Sequence, residues 1–555
     1  MMHQAFLLYN HMLIKSTMLI MTLLFLPVFL SIIFQFATMK RLFKTIDAKI
    51  IFALVAIFCL GFWLRNSEYR YGMNLDGTYY QAMAKSIHAR GELTQGCALG
   101  SSDNCLYKYN AVVLPGYPYL IAVLFKFFGA KDLLAMHISG ILGSLNIVLV
   151  FLLYLLLFHK PSGALISACT FACLPLDIWI SQTSAVRTTG IFFACLSCVF
   201  FLLAIREKKI SLWISSVLCL SYAAYVRLDF YLLIVPFIVH LCLNKDKLTK
   251  SDAKNIVLSL MVFIVHQCPA FAWLINNHFG LTGGNEATFL FNRVVHSGPV
   301  LFSFFFEKKF GHYFFNPFFS VFFILGLVWS MISKKRGNGI FALLLFCAFF
   351  LGIASFYHGV AGKETIRYLQ PIGIPYSLLA GLAIDKFFSK SKIKIAPFVL
   401  FVVLLLASII PYFKFRLFAD GRMNEATIFE HRKYYDALPK NVLLFSRKPQ
   451  LYDLDLMPNN KELVVASFGQ NQFDEYLGFK SAFKNMLFKY KDLRWFVILQ
   501  ENDKCADFRK MIDNVEMDIV DIQGLNADSE LYEIKDKNKL LSNLEKMSKF
   551  SSGLL

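Results

Sequence analysis

The stretch "MKRLFKTIDAKIIFALVAIFCLGFWLR", residues 39–65, begins with Lys40, Arg41, Lys44 and Lys49 and then runs apolar to a terminal arginine. A basic end followed by an apolar run at 48–65 is the pattern of a helix that crosses a bilayer from a cytoplasmic start, because ~20 apolar residues in a helix match the hydrocarbon thickness. The same pattern recurs along the chain. Apolar runs at 18–38, 133–158, 162–180, 188–205, 211–226, 228–243, 254–276, 314–333, 338–356, 368–386 and 395–413 read as further spans. Residues 1–38 carry little charge and precede a natural start at Met39, so they are either an extra N-terminal helix or an upstream extension.

Composition agrees. Of 555 residues, 57% are apolar and only 17% charged, and the mean hydropathy is +0.54. A soluble chain of this size carries more charge, so the fold class is mainly α and polytopic, with about 11–13 spans. The net charge of +19 does not point to nucleic acid, since the basic residues fall in short clusters between apolar runs. Most of the 12 cysteines lie in apolar surroundings, including the Cys195–Cys198 pair, and pack as small hydrophobes. Cys97 and Cys105 bracket the polar stretch "CALGSSDNC", where a disulfide would close a small hairpin if the loop meets an oxidising compartment.

Lysine and arginine orient the spans. The segments 39–49, 206–210, 244–254, 334–336 and 386–394 are rich in them, and the connections at 181–187, 227 and 357–367 are not. The first set is therefore cytoplasmic and the second exoplasmic. Parity then bears on "AVVLPGYPYLIAVLFKFFG", residues 111–129. If it crossed, segment 39–49 would lie opposite the other basic clusters, so it reads as an interfacial helix. The exoplasmic side thus receives a first loop at 66–132, a second at 277–313 and everything after 413. Residues 414–555 mix strand-like runs ("NVLLFS", "RWFVILQ") with helix-like ones, which predicts a small α/β domain.

Charges at the ends of membrane helices need a reason. Parity puts Asp76, Asp177, Arg187, Arg227 with Asp229, and "GKETIRYLQP" at 362–371 on one face. Arginines can hold a phosphate through forked hydrogen bonds, and a carboxylate can take the proton from an attacking hydroxyl or amine. Together they suit a lipid-linked sugar phosphate. Each residue also has a plainer reading. Asp76 stands before "GTYYQAMAKSIHARG" and could cap that helix; Asp177 follows Pro175 at a helix end; Arg187 and Arg367 could anchor at headgroups; Arg227 and Asp229 could be a local ion pair; Tyr79 could belong to the interfacial aromatic belt. The histidines show no metal-binding spacing, so the sequence requires no cofactor and leaves a divalent metal possible but unsupported.

The order of "LDGTYYQAMAKSIHARGEL", "LPGYPYLIAVLFKFFG", "SQTSAVRTTGIFFACLS", "YVRLDFYLLIVPF" and "RYLQPIGIPYSLLAGL" resembles the GT-C superfamily of polytopic glycosyltransferases. The resemblance is to the branch of dolichyl-phosphate-mannose protein mannosyltransferases and aminoarabinose transferases, and it covers residues 40–413. It implies a GT-C-like transmembrane catalytic domain at 39–413 and transfer, with inversion, from a polyprenyl-phosphate sugar to an exoplasmic lipid, glycan or protein. By the same resemblance Asp76 is the first-loop catalytic aspartate and general base. Arg227, Arg367 and Tyr368, with Lys108 nearby, are implied as donor-phosphate contacts, and Asp177, Asp229, Arg187 and Tyr79 as supporting residues. The chain departs from the branch at Gly77, where mannosyltransferases have a glutamate, and at Arg187–Thr189, where a second acid is common. The rival readings are a transporter or flippase of a lipid-linked substrate and a non-catalytic scaffold. The one-sided clustering of charge and the lack of a two-half repeat weigh against the first, and the convergence of charges weighs against the second.

Overall fold

The computed structural model describes residues 17–44, 46–67, 75–91, 94–100, 105–110, 114–184, 186–276, 295, 297–307, 313–332, 336–356, 367–389, 433–434, 436–439, 442–446, 463–467, 491–500, 512–520 and 529–550. For stretches such as 75–79, 94–100 and 105–110 it describes the backbone only. The span expected at 395–413 lies outside the described residues. Two compact units emerge: one from 1–77, 112–124 and 133–420, the other from 78–111, 125–132 and 421–555.

The first unit is built of apolar helices: α1 (Thr17–Lys44) and α2 (Ala48–Asn66), then, after the first loop, α5 (Asp132–Phe158). The run expected as a single span at 162–180 is broken into α6 (Pro161–Ala172) and α7 (Pro175–Ser181), which meet at 57°. Pro175 explains the break, because its ring has no N–H to give and would clash with the preceding turn inside a continuous helix. Next come α8 (Val186–Glu207) and α9 (Ile210–Val226), locked together by reciprocal serines. Ser197 Oγ donates to Ser216 O at 2.7 Å and Ser216 Oγ to Ser197 O at 3.0 Å, the small-residue contact that lets membrane helices approach closely.

The expected helix at 228–243 likewise divides, into a 3₁₀ turn (Leu228–Leu233) and α10 (Ile234–Leu243). Pro236 is the third residue of α10, where a missing N–H costs no intrahelical bond. α11 (Lys250–Asn276), α12 (Pro317–Ile332) and α13 (Arg336–Phe356) follow. The last described span opens with a second 3₁₀ turn (Arg367–Ile372, containing Pro371) that runs into α14 (Gly373–Ser389). α1 is docked within this unit. His266 Nε2 lies 2.8 Å from Leu24 O, near Pro27, and Thr22 Oγ1 lies 2.6 Å from Tyr119 OH. The first of these bonds joins α11 to α1 three residues before Pro27.

Two short helices arise in the first loop. α3 (Leu75–Arg90) ends at Gly91, whose φ of 68° is the left-handed cap that glycine adopts without strain. Asp76 is the second residue of α3, so it lies in the first turn rather than before the helix; its side chain is outside the described residues. α4 (Gly116–Phe128) has 13 residues, or ~20 Å at ~1.5 Å per residue, well short of the ~30 Å hydrocarbon core. That length fits the interfacial reading of 111–129. It packs closely: Tyr222 OH donates to Gly116 O at 2.8 Å.

The second unit contains one seven-stranded mixed sheet, ordered β2-β1-β4-β3-β5-β7-β6. Its strands are β1 (Thr94–Gly100), β2 (Cys105–Asn110), β3 (Val442–Ser446), β4 (Leu463–Ser467), β5 (Arg494–Gln500), β6 (Met517–Ile519) and β7 (Ser529–Ile534). β3 runs parallel to both neighbours, and Val442, Leu443, Leu444 and Phe445 are all buried. This unbroken apolar run is what a strand covered on both faces requires. A difference from the sequence reading is instructive. The α/β domain expected over 414–555 takes its edge hairpin from the first loop, with β1 pairing to β4 through Leu99↔Ala466 and Gly100↔Val465. An otherwise open edge of β4 is thereby covered. Within the hairpin Cys97 lies opposite Lys108 and Cys105 opposite Gly100; the side chains that a disulfide would join are outside the described residues.

Candidate active site

Three arginines meet around one tyrosine. Each stands where a helix starts or stops, which is why the sequence could place them on a face but not against one another. Arg227 follows α9 in extended conformation (φ −156°, ψ 133°), at the junction with the first 3₁₀ turn. Arg187 is the second residue of α8. Arg367 and Tyr368 open the second 3₁₀ turn. The guanidinium carbon of Arg187 is 4.0 Å from the Tyr368 ring centroid, that of Arg367 5.3 Å and that of Arg227 5.4 Å. Arg187 and Arg367 are buried, and Tyr368 is half-buried.

The electron-rich ring face attracts each cation by ~0.5–2 kcal/mol. The cations repel one another, by ~2 kcal/mol for a pair ~8 Å apart at an effective dielectric constant of ~20. Asp229 offsets part of that repulsion. Arg227 Nε donates to Asp229 Oδ1 at 2.9 Å and Arg227 Nη2 to Asp229 Oδ2 at 3.1 Å, with both side chains about four-fifths covered. The local ion pair therefore exists, and it sits inside a larger cationic cluster. A concentration of forked donors on a half-buried aromatic is suited to an oxyanion.

Asp177 is held inside the protein by a buried partner. Its side chain is fully buried, and Arg65, also fully buried, donates to its Oδ2 from Nε (3.0 Å) and Nη2 (2.7 Å). Gln370 Nε2 donates to Oδ1 at 2.8 Å and also to Thr188 Oγ1 at 3.0 Å. A carboxylate so engaged supports the segments it joins, in line with the supporting place the resemblance implies for it. Arg65, Gln370 and Thr188 were missed in the sequence. Arg65 had looked like the end of a span, and an arginine set among apolar residues in a membrane helix was the signal that a buried partner had to exist.

The sequence-predicted residues thus divide. Arg187, Arg227, Asp229, Arg367 and Tyr368 come together, and Asp177 is linked to the segments carrying them. The side chains of Asp76, Tyr79 and Lys108 lie outside the described residues. Among the described residues no group of three His, Cys, Asp or Glu is placed to share a metal ion.

The comparisons agree with this fold. Residues 113–273 match the family model of dolichyl-phosphate-mannose-protein mannosyltransferase. The chain superposes on ArnT from Cupriavidus metallidurans bound to undecaprenyl phosphate with a TM-score of 0.55 at 11% identity, covering 88% of this chain and 99% of that one. The apo state of the same ArnT gives 0.55 at 11% identity, with coverage of 89% and 98%. The comparison with curated proteins gives no match. The chain is an integral membrane protein with the GT-C fold. Within that fold it resembles the protein mannosyltransferase and aminoarabinose transferase branch of glycosyltransferases.

Proposed function

We propose that this enzyme moves a sugar from a polyprenyl-phosphate-linked donor to an acceptor on the exoplasmic face, with inversion at the anomeric carbon. The observation that carries this reading is the convergence of Arg187, Arg227 and Arg367 on Tyr368. The donor phosphate lies among these guanidinium groups, which stabilise the charge that grows on its oxygens as the C–O bond to the sugar breaks. The acceptor hydroxyl or amine attacks the anomeric carbon from the opposite side, and Asp76 takes its proton. A single displacement of this kind inverts the centre. The guanidinium charge makes a divalent metal unnecessary for leaving-group stabilisation. The branch's family model and the ArnT structure solved with undecaprenyl phosphate support the donor class.

The test uses the purified full chain with a panel of polyprenyl-phosphate sugars and an acceptor membrane extract. Asp76→Asn is expected to bind donor normally and lose transfer by ~10²–10⁴-fold, the usual contribution of a positioned base. The anomeric configuration of the product, read by NMR, is expected to be opposite to that of the donor. Transfer by Asp76→Asn at the wild-type rate would falsify the role of Asp76; a retained configuration would rule out direct displacement.

A further inference from the structure

Arg65, Asp177, Gln370 and Thr188 form one buried chain of hydrogen bonds, and its Gln370–Thr188 end adjoins the segments that carry the arginine cluster. Arg65 uses all five of its N–H groups. Besides the two bonds to Asp177, Nη2 donates to Phe171 O (3.0 Å), and Nη1 donates to Ala172 O (2.9 Å) and Gly61 O (3.2 Å). Phe171 and Ala172 are the last residues of α6, where the break before Pro175 interrupts the helical ladder. The guanidinium therefore sits at the negative end of one half-helix and binds the acid in the first turn of the next. In return, Gln182 Nε2, at the end of α7, donates to Leu64 O near the end of α2, at 2.7 Å.

The chain then leaves the break. The free oxygen of Asp177 receives Gln370, and the second N–H of that amide reaches Thr188. Gln370 shares a six-residue 3₁₀ turn with Arg367 and Tyr368, and Thr188 is the neighbour of Arg187. One amide thus ties together the two segments whose side chains stack at 4.0 Å. Resting on the donor-phosphate reading above, we infer that Gln370 is a positioning residue for donor binding. Anchored by the Arg65–Asp177 pair, it holds the Arg367–Tyr368 turn against Arg187 and so sets the spacing of the phosphate contacts.

An amide is suited to this task because it offers two N–H donors from one planar group, one for a carboxylate and one for a hydroxyl. In a dry interior both must be satisfied, which gives the turn one arrangement rather than several. A displacement of ~1 Å at such a site is enough to cost a large factor in function.

The test is Gln370→Met, close in volume and without donors, in the full chain in lipid nanodiscs. The probes are a polyprenyl monophosphate for binding and the sugar-linked form for turnover. Binding of the monophosphate is expected to weaken at least tenfold, and KM for the donor to rise by more than kcat falls. Thr188→Val, which removes only the far acceptor, is expected to weaken binding by about two- to fivefold and serves as the measurement should Gln370→Met fail to fold. Wild-type affinity in folded Gln370→Met, or in Thr188→Val where that variant stands in, overturns the inference and leaves the phosphate reading intact. So does a lowered melting temperature with unchanged Kd, since that is what a purely structural bond gives. Wild-type protein that does not bind the monophosphate overturns both.

Discussion

Arg65→Met is the most informative single change, because the structure fixes what it leaves behind. Asp177 remains fully buried, with Gln370 still donating to one oxygen and nothing from Arg65 to the other. Removing one partner of a buried ion pair costs ~3–5 kcal/mol, most of it the uncompensated charge. The Ala172 carbonyl also loses its Arg65 donor, and an unmade buried hydrogen bond adds ~1–3 kcal/mol. The total expected is ~4–8 kcal/mol, comparable with the whole stability of many domains.

Asp177→Leu is expected to cost about as much as the pair term alone, since the guanidinium keeps its three carbonyls. The double variant Arg65→Met/Asp177→Leu contains no buried charge. Its cost should fall back to ~2–3 kcal/mol for the lost carbonyl contacts and the Gln370 bond, so that it is more stable than Arg65→Met. Such coupling would reach or exceed the ~3 kcal/mol at the top of the usual range for neighbouring residues. The assay is reversible unfolding in mixed micelles, followed by tryptophan fluorescence, at one scan rate and lipid content. Additive single effects, or an Arg65→Met cost below ~1 kcal/mol, would mean that water reaches the pair, and the reasoning from a dry α6–α7 break would be wrong.

Arg187→Met, Arg227→Met and Arg367→Met should each weaken polyprenyl-phosphate binding by ~10–100-fold, from ~1.5–3 kcal/mol per charged hydrogen bond; equilibrium binding in nanodiscs checks this, and three unchanged affinities would place the phosphate elsewhere. Gly326→Ala should destabilise by ~1–3 kcal/mol, because its Cβ would lie 2.1 Å from Leu379 O and α12 would have to move off α14; unchanged thermal stability refutes that contact. In the sheet unit, hydrogen bonding to Arg494, at 2.7 and 2.8 Å, holds the Glu533 carboxyl down at about 2 from an ordinary 4.5. A lowered carboxyl pKa stabilises above the unfolded value, so this contribution is complete above about 4.5 and is lost as pH falls towards 2. Comparing Glu533→Gln with wild type in acid unfolding should show the difference shrinking over that window; a constant difference counts against it. Transfer activity should survive a chelator, since guanidinium groups supply the positive charge; loss of activity restored by a divalent cation would overturn that.

The helical architecture was legible because the longest apolar runs, those of α1, α2, α5 and α8, suit a bilayer-crossing helix, and the bilayer penalises any other use of such a run. β3 and β5 were legible as apolar runs rich in Val, Ile, Leu and Phe. The breaks were harder to read. Residues 162–180 and 228–243 scan as continuous apolar runs, and hydropathy registers neither Pro175 in the first nor the change from 3₁₀ to α-helical geometry in the second. The hairpin at 94–110 could not be assigned to the C-terminal sheet, because strand pairing across some 360 residues leaves no local trace. Among site residues, the arginines could be placed on one side by counting spans. That they share one aromatic ring depends on tertiary packing. The partner of Asp177 was not legible, because a carboxylate at a helix end looks alike whether it is bound by a buried arginine or exposed to substrate.

Helix breaks and cation positions coincide here for a physical reason. Unpaired backbone groups are tolerated at membrane depth only where side chains or water satisfy them, so an unbroken helix is the cheaper use of an apolar run. Among the described residues the chain departs from that three times: before Pro175, at Arg227 and at Arg367. The second and third departures each deliver one guanidinium to Tyr368, and the first supplies Asp177, which reaches those segments through Gln370. A continuous helix would carry each arginine around its axis at a fixed ~100° per residue and point its side chain along its own flank. A 3₁₀ or extended residue turns the side chain out of that register. The breaks are therefore best understood as the means by which separate membrane helices aim charge at one point, and restoring a helix should disperse it. Replacing Pro371 by alanine, which returns the missing N–H to the 3₁₀ turn, is expected to weaken polyprenyl-phosphate binding even though position 371 offers the phosphate no charge. A Pro371→Ala variant with wild-type affinity would show that the turn is held by Gln370 and its partners alone.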